Sequence, residues 1–297
     1  MAHARSVMME GRSVREVLAA GGRLFAAGLT DVFPWVLMAE LLQLVPGVPS
    51  SLLDTDLSQF LNPIFLSKAL LFGGAQALLY AVAVIRLTHL AGSPAGPIAW
   101  PALRAIPSVL IGYIAYTIVL MLGLGLSSLL FALGLLFIGP LGGAVLSLLA
   151  LGPTAAASTA LAFFIYPAVI ERRGPFSSLS ESSRLARGGW IRASFVVSMP
   201  ALALLVAWLA GNGMELSRNL SMAFNQLQGI SADVSVDQLQ GLLSSTTVHT
   251  RSADWSWKVL GTLTGAFAWW YTLAVCYAEY RTLKERDSAP EKEKKGH

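Results

Sequence analysis

The side chains of this sequence that could do chemistry are few and widely scattered. The four histidines are His3, His89, His249 and His297, and the one cysteine, Cys276, lies in an apolar run. A zinc site needs three or four ligands that converge, and a nucleophile needs a nearby base. The chain contains no G-x-S-x-G, H-E-x-x-H or P-loop pattern. We therefore predict a protein that is not an enzyme and that holds neither a metal nor a cofactor.

Four ionisable residues within apolar stretches are more informative. They are Asp31, Glu40, Lys68 and Arg86, and a charge at membrane depth costs about 2.5–3.5 kcal/mol on insertion scales. In an antiparallel pair of spans, Glu40 would lie near Lys68, and Asp31 would lie within reach of Arg86. We predict two ion pairs that lock this hairpin, or a helix capped by Asp31 after a break at Gly28. The alternative is a polar cavity used for transport.

The composition of the chain places these residues in a membrane protein. Of its 297 residues, 55% are hydrophobic and 13% are charged, whereas soluble domains carry about 25% charged residues. A span needs about 20 mainly apolar residues, which predicts an all-α, polytopic integral membrane protein with six transmembrane helices. The predicted spans cover residues 24–45, 65–87, 106–126, 150–170, 191–210 and 257–280.

The positions of the basic residues predict the orientation. With both ends in the cytoplasm, all but four of the 21 lysines and arginines fall on the cytoplasmic side, as the positive-inside rule requires. The exceptions are Lys68, Arg218, Arg251 and Lys258. The net charge of +4 therefore reflects topology, and we expect no nucleic acid. Residues 1–282 form one transmembrane domain, and residues 283–297 are expected to be a disordered, charged cytoplasmic tail.

The uncharged stretch between the third and fourth spans contains two Gly-Pro pairs. They are Gly139-Pro140 and Gly152-Pro153. Proline removes a backbone donor and clashes with the preceding turn, so a local break is expected. Non-helical backbone at membrane depth needs cover from protein or a water-filled cavity. Residues 127–153 are therefore either a re-entrant element or long, bent helices.

An internal similarity predicts that the spans are three hairpins of a parallel repeat. The segment ending in Gly21-Gly22 resembles the one ending in Gly188-Gly189. Tyr80, Tyr166 and Tyr271 each begin a similar segment that ends at charged residues. The repeated unit would be an interfacial amphipathic helix, a span out and a span back. Its basic residues would favour membrane lipids with anionic headgroups at the cytoplasmic face.

One cytoplasmic motif resembles a known family. It runs from a Tyr-Pro-Ala-Val-Ile-Glu-Arg segment to a basic, glycine-containing segment before the fifth span. Its residues are Tyr166, Pro167, Glu171, Arg172, Arg184, Gly188, Gly189 and Trp190. This pattern resembles the YciC-like bacterial inner-membrane proteins and the membrane domain that precedes some glycerophosphodiester phosphodiesterases. The resemblance implies a bacterial inner-membrane location, but the chain has no phosphodiesterase domain, so that activity does not follow.

Residues 211–256 are the largest extramembrane segment predicted on the outer side. Apolar residues recur there at helical spacing, which predicts two amphipathic surface helices and a docking face for a protein partner. We expect a non-enzymatic protein of envelope or lipid homeostasis that transports an apolar or amphipathic solute or acts as an accessory subunit. The alternatives are a scaffold that docks a partner and, more remotely, an intramembrane lipid-modifying enzyme.

Overall fold

The computed structural model describes residues 13–45, 62–94, 96–187, 190–199 and 255–294. Every regular element in these ranges is helical. The helices are α1 (Val14–Ala27), α2 (Phe33–Leu41), a 3-10 turn (Leu42–Leu44), α3 (Pro63–Leu90), α4 (Ala99–Phe137), α5 (Pro140–Ala162), α6 (Ile165–Val169), α7 (Pro175–Arg187), α8 (Trp190–Met199) and α9 (Trp255–Lys294).

Three apolar segments are long enough to cross a membrane: Pro63–Leu90, Ala99–Phe137 and Leu141–Val169. Within the described ranges the fold is all-helical, as composition predicted, and three of its segments are long and apolar enough to cross a membrane. Helix α3 follows the predicted span 65–87 closely. Helix α8 covers the first part of the span 191–210, whose remainder lies outside the described residues. The predicted span 257–280 lies within the single helix α9.

The first predicted span, residues 24–45, is not one helix. Helix α1 is capped by Ser13, whose side chain and that of Glu16 form a reciprocal capping box, which satisfies two otherwise unpaired backbone donors. The helix ends at Gly28, and residues 28–32 form turns before α2 begins. The break at Gly28 was expected, but Asp31 does not cap the next helix. Its N-cap is Val32, without a side-chain hydrogen bond.

Close packing explains why a glycine occupies this break. A side chain at Gly28 would collide with the indole ring of Trp270 on α9. The indole Nε1 donates a 3.1 Å hydrogen bond to the carbonyl oxygen of Phe25, one of the last helical residues of α1. The Phe25 and Trp270 rings are also stacked at 6.0 Å. Helix α1 is therefore held along α9 by its C-terminal turn.

The uncharged stretch forms two long helices that meet at one turn, rather than a re-entrant element. Helix α4 has 39 residues and α5 has 23. The turn contains Gly139, whose φ of 94° favours glycine, and Pro140 occupies the first turn of α5, where proline is tolerated. Pro153, in contrast, lies inside α5. The second Gly-Pro pair therefore does not end a helix.

The core of the bundle is formed largely by the three segments of the internal similarity, which contain Tyr80, Tyr166 and Tyr271. The segment from Tyr80 to Leu87 on α3, residues 163–169 around α6, and residues 270–283 of α9 are mostly buried. Helices α1 and α2 pack on α9, α3 packs on α4, and α7 packs against α4, α5 and α9. The core therefore lies toward one end of the long helices.

The C-terminal segment differs from the disordered tail that we predicted for residues 283–297. Helix α9 continues to Lys294, and residues 295–297 lie outside the described range. Leu283 is buried, and Lys284 and Asp287 bind charged residues of the neighbouring elements. These contacts order a charged sequence that composition alone would leave solvated.

Candidate functional site

A buried carboxyl group lies where helices α2, α3, α4 and α9 meet. Glu40 on α2 is 5% exposed, and its Oε1 accepts a hydrogen bond from the hydroxyl of Tyr80 on α3. A Cβ atom at Gly265 of α9 would lie 3.7 Å from Glu40 Oε2. Gly265 therefore lies beside the carboxyl group, at a distance that a Cβ atom would also tolerate.

Aromatic rings surround this carboxyl group. The rings of Tyr80 and Tyr113 stack with their centroids 5.8 Å apart, and the indole of Trp269 lies 6.1 Å from both. Phe164 meets Tyr113 edge to face at 6.0 Å. Such aromatic pairs contribute about 0.5–1.5 kcal/mol each beyond their buried area. We call Glu40, Tyr80, Tyr113 and Trp269 the Glu40 centre.

The Glu40 centre lies well inside the helical bundle. Trp269 precedes Lys284 by 15 residues on α9, which is about 22 Å at 1.5 Å per residue. On α3, Tyr80 follows Lys68 by 12 residues, or about 18 Å. If these helices cross a membrane, a carboxyl group this far from the charged ends is costly in hydrocarbon, and this cost makes Glu40 a candidate functional residue.

The structure forms neither of the two predicted ion pairs. Lys68 is exposed and lies about 18 Å along α3 from the tyrosine that binds Glu40. Asp31 is exposed in the turn before α2, and no described residue accepts a hydrogen bond from the buried Nε of Arg86. Both predictions were wrong because they assumed one straight first span. The break at Gly28 changes the register of α2 against α3.

A second polar site lies at the C-terminal end of α9. Lys284 Nζ is 2.7 Å from an oxygen of Glu171 and 2.6 Å from one of Glu181. Arg173 also contacts both carboxylates, at 2.6 Å and 3.5 Å. Arg184 donates two hydrogen bonds, of 3.0 Å and 2.8 Å, to Glu181. We call these five residues the charge cluster, and they tie the loop after α6 and helix α7 to α9.

The charge cluster favours ionised carboxylates. Hydrogen bonds from Arg184 are the largest influence on Glu181, and with those from Lys284 they lower its pKa from 4.5 to about 2, although burial opposes the shift. Burial also raises the pKa of Glu171, but hydrogen bonds from Lys284, Tyr280 and Arg173 outweigh it and hold this pKa below its usual value. The pKa of Lys284 is raised because its hydrogen bonds to the two carboxylates outweigh burial. The cluster thus remains fully charged at neutral pH.

A separate ion pair joins helix α8 to α9. Glu279 is 0% exposed, and both of its oxygens accept hydrogen bonds of 3.0 Å from Arg192. This bidentate geometry is the arrangement in which an arginine compensates a buried carboxylate best. It fixes the start of the predicted fifth span against the end of the sixth.

The motif that runs from Tyr166 to Trp190 is brought together in part. The hydroxyl of Tyr166 donates a 2.8 Å hydrogen bond to the carbonyl oxygen of Leu273, and the carbonyl oxygen of Pro167 accepts one of 3.1 Å from the Arg173 backbone. Arg172 is exposed and has a φ of 57°, which few residues other than glycine adopt. This conformation turns the chain toward α7.

The remaining motif residues are more dispersed. Glu171 and Arg184 belong to the charge cluster, as described above. Trp190 is exposed at the start of α8. Gly188 and Gly189 lie outside the described residues, as does the predicted external loop 211–256 up to residue 254.

Sequence reasoning missed the partners that complete these sites. Tyr80 was noted for its repeat position and not as the donor to Glu40. Glu181, Lys284 and the pair of Arg192 with Glu279 were not predicted as contacts. A signal was available for one of them, because Glu279 is an acid at the end of an apolar run followed by basic residues. The others depend on which helices are neighbours, which one sequence does not show.

Within the described ranges, no group of three or more histidine, cysteine, aspartate or glutamate side chains is arranged to hold a metal ion. The charge cluster contains two carboxylates, and both are neutralised by arginine and lysine. No protein family, curated protein or solved structure matches this chain.

Proposed function

We propose that this chain is a non-enzymatic inner-membrane protein of envelope or lipid homeostasis and acts as an accessory membrane subunit. The proposal includes six spans arranged as three hairpins, both ends in the cytoplasm, and a relationship to the YciC-like proteins. The basic flanks of the apolar segments support this orientation. The observation that carries the functional proposal is the form of the α4 and α5 hairpin.

The distal part of this hairpin stands apart from the rest of the bundle. From residue 125 to residue 150, which we call the arm, most side chains on α4 and α5 are exposed. They include Leu136 at 74%, Leu141 at 80% and Leu148 at 64%. All three are large apolar residues, so the surface of the arm suits lipid chains or apolar helices and not water.

The two helices of the arm pack tightly on each other. A Cβ atom at Gly134 would lie 2.6 Å from the backbone of Gly143 on α5. The hydroxyl of Ser127 donates a 3.2 Å hydrogen bond to the carbonyl oxygen of Ser147. Small residues that let backbones approach in this way stabilise helix pairs in membranes. The arm is therefore a preformed two-helix surface, which lowers the entropic cost of binding partner helices.

The length of α4 supports a partner as well as lipid contact. Its 39 residues extend about 58 Å, whereas a hydrocarbon core is about 30 Å thick. A helix so much longer than the bilayer must tilt strongly or extend beyond it. A partner protein that packs along the arm would cover the apolar surface that the bilayer does not.

The Glu40 centre supports a second function, transport of an apolar or amphipathic solute. A buried carboxyl group held by a tyrosine hydroxyl inside the bundle is a feature of substrate or proton pathways. In this alternative the aromatic rings would guide the apolar part of the solute. Loss of uptake or export in a Glu40→Gln variant that folds normally would favour this alternative.

Photo-crosslinking in cell membranes tests the accessory role. A photoreactive amino acid is placed at Leu136 or Leu148 on the arm, and at Leu71 on α3 as a control of similar exposure (70%). We expect both arm positions to give an adduct with the same protein, and Leu71 to give lipid adducts. The adduct should also weaken when Gly134→Val separates the two helices of the arm. Lipid adducts alone at all three positions would contradict the proposal.

A further inference from the structure

Arg86 on α3 is an unusual cation in this structure. The residue is half-buried, and its Nε is fully shielded without an acceptor within hydrogen-bond distance among the described residues. Ala83 and Leu87, its neighbours on α3, are both 0% exposed. A buried donor without an acceptor is costly. Because the residue is only half-buried, the other nitrogens of the guanidinium group are the donors that an acceptor from outside the chain can reach.

The acids of the described chain are engaged elsewhere or face solvent. Glu171 and Glu181 bind Lys284 and the arginines of the charge cluster, and Glu279 binds Arg192. Asp31, which we had expected to pair with Arg86, is exposed. Among the described residues, no ion pair is formed by Arg86.

The depth of Arg86 identifies the kind of acceptor. Lys68 and Arg86 are 18 residues apart on the same helix, which is about 27 Å, close to the thickness of a hydrocarbon core. If α3 crosses the bilayer, the two cations lie at its opposite surfaces. Arg86, near the C-terminal end of α3, then lies at the level of the lipid phosphates.

Other cations at this end favour a lipid with net negative charge. Arg23 on α1 and Arg104 on α4 are exposed, and both helices pack against α3. Basic residues near a membrane surface attract anionic lipids by about 1 kcal/mol each. A guanidinium group also matches a phosphate better than an ammonium group does, because it offers parallel donors in one plane.

We propose that Arg86 anchors a specific site for the headgroup of an anionic phospholipid. The phosphate accepts hydrogen bonds from the guanidinium group, and Arg23 and Arg104 add longer-range attraction. The acyl chains lie along the apolar surface of the bundle. The site is independent of the proposed accessory function and requires only that α3 crosses the membrane.

The test uses the full chain in mild detergent, titrated with phosphatidylglycerol or with phosphatidylcholine and followed by native mass spectrometry and by thermal unfolding. We expect phosphatidylglycerol to bind and to raise the melting temperature of the wild type, and phosphatidylcholine to do so much less. Arg86→Gln should weaken phosphatidylglycerol binding by about tenfold or more. Arg172→Gln, which removes an exposed arginine, is the matched control and should retain binding.

Thermal stability measured without lipid distinguishes a loss of lipid binding from a change in folding. Arg86→Met should be at least as stable as the wild type without lipid, because it removes a poorly satisfied buried donor. Equal phosphatidylglycerol binding by the wild type and by Arg86→Gln would overturn the proposal. Inorganic phosphate that displaced the lipid at low millimolar concentration would identify a soluble anion site instead. A marked loss of lipid-free stability in Arg86→Met would indicate an internal structural role.

Discussion

The pair of Arg192 and Glu279 should be among the most sensitive ionic contacts in this protein. Glu279 is 0% exposed, and two 3.0 Å hydrogen bonds from Arg192 compensate its charge. Removing one partner of a buried ion pair leaves the other charge uncompensated, which costs about 3–5 kcal/mol. Arg192→Met should therefore lower the free energy of unfolding by about that amount.

The assay is thermal unfolding of the full chain in mild detergent, with single and double variants compared in a cycle. A loss of this size lowers the melting temperature of a chain of about this length by roughly 10 °C. The double variant Arg192→Met with Glu279→Met should recover most of the loss, because replacing a buried pair by apolar residues of similar volume is often close to neutral. Asp287→Asn is the control. It breaks a half-exposed pair with Arg184, and its cost should stay below about 1 kcal/mol.

Additive losses in the double variant would refute this reasoning, since residues that interact must show a coupling energy. So would a loss in Arg192→Met no larger than that in Asp287→Asn. In either case the contact between α8 and α9 would not carry the energy that its burial implies.

Three further predictions concern other contacts. Gly134→Ala should destabilise the chain because a Cβ atom there would lie 2.6 Å from the backbone of the other arm helix. The control Gly125→Ala, which has open space around it, should be neutral or stabilising. Equal shifts in melting temperature for the two variants would contradict the close packing of the arm helices. Tyr80→Phe should lower the free energy of unfolding by about 1–3 kcal/mol, because it removes the hydrogen-bond donor to a buried carboxyl group. If Tyr80→Phe lowers it by the same amount in a Glu40→Met background, the lost hydrogen bond is not the cause. The pKa of Glu181 is lowered from 4.5 to about 2, so the stability that this carboxylate contributes is complete above pH 4.5 and is lost as pH falls toward 2. The difference in unfolding free energy between the wild type and Glu181→Gln should therefore shrink as the pH falls through that range. A difference that stays constant would contradict the lowered pKa of Glu181.

Helix α3 shows what the sequence could reveal about the fold. Its apolar run is bounded by Asn62, which caps the helix, and Pro63 in its first turn, and by Gly92, which has a φ of 95°. These residues have local conformational preferences that do not depend on the rest of the fold. The predicted span 65–87 and the observed helix Pro63–Leu90 therefore agree within a few residues.

The two Gly-Pro pairs show where local preference is insufficient. Both have the same residue types, yet Gly139-Pro140 forms the turn of the hairpin and Pro153 lies inside α5. The choice depends on the pairing of the two helices, because Gly123 packs against Thr154 on the facing helix. A turn at Gly152 would destroy that contact. Sequence reasoning could therefore predict a break but not its place.

The Glu40 centre shows the same limit for the candidate site. The cost of a carboxyl group in an apolar run indicates that Glu40 needs a partner, and in the structure the hydroxyl of Tyr80 binds it. The predicted partner, Lys68, was wrong because the register of α2 against α3 depends on the break at Gly28 and on its packing with Trp270. A neutral hydroxyl donor is also harder to predict than an opposite charge, because tyrosines are common in apolar segments.

Topology mapping tests the central claim of this account, that the long apolar helices cross a membrane with the arm as a complete hairpin. Single cysteines at Ser93, Gly139 and Arg184, with Cys276 replaced by serine, are labelled in intact cells with a membrane-impermeant thiol reagent. We expect labelling at Gly139 from outside, and labelling at Ser93 and Arg184 only after the cells are permeabilised. Labelling of Ser93 or Arg184 from outside, or protection of Gly139 before permeabilisation with labelling afterwards, would contradict the claim.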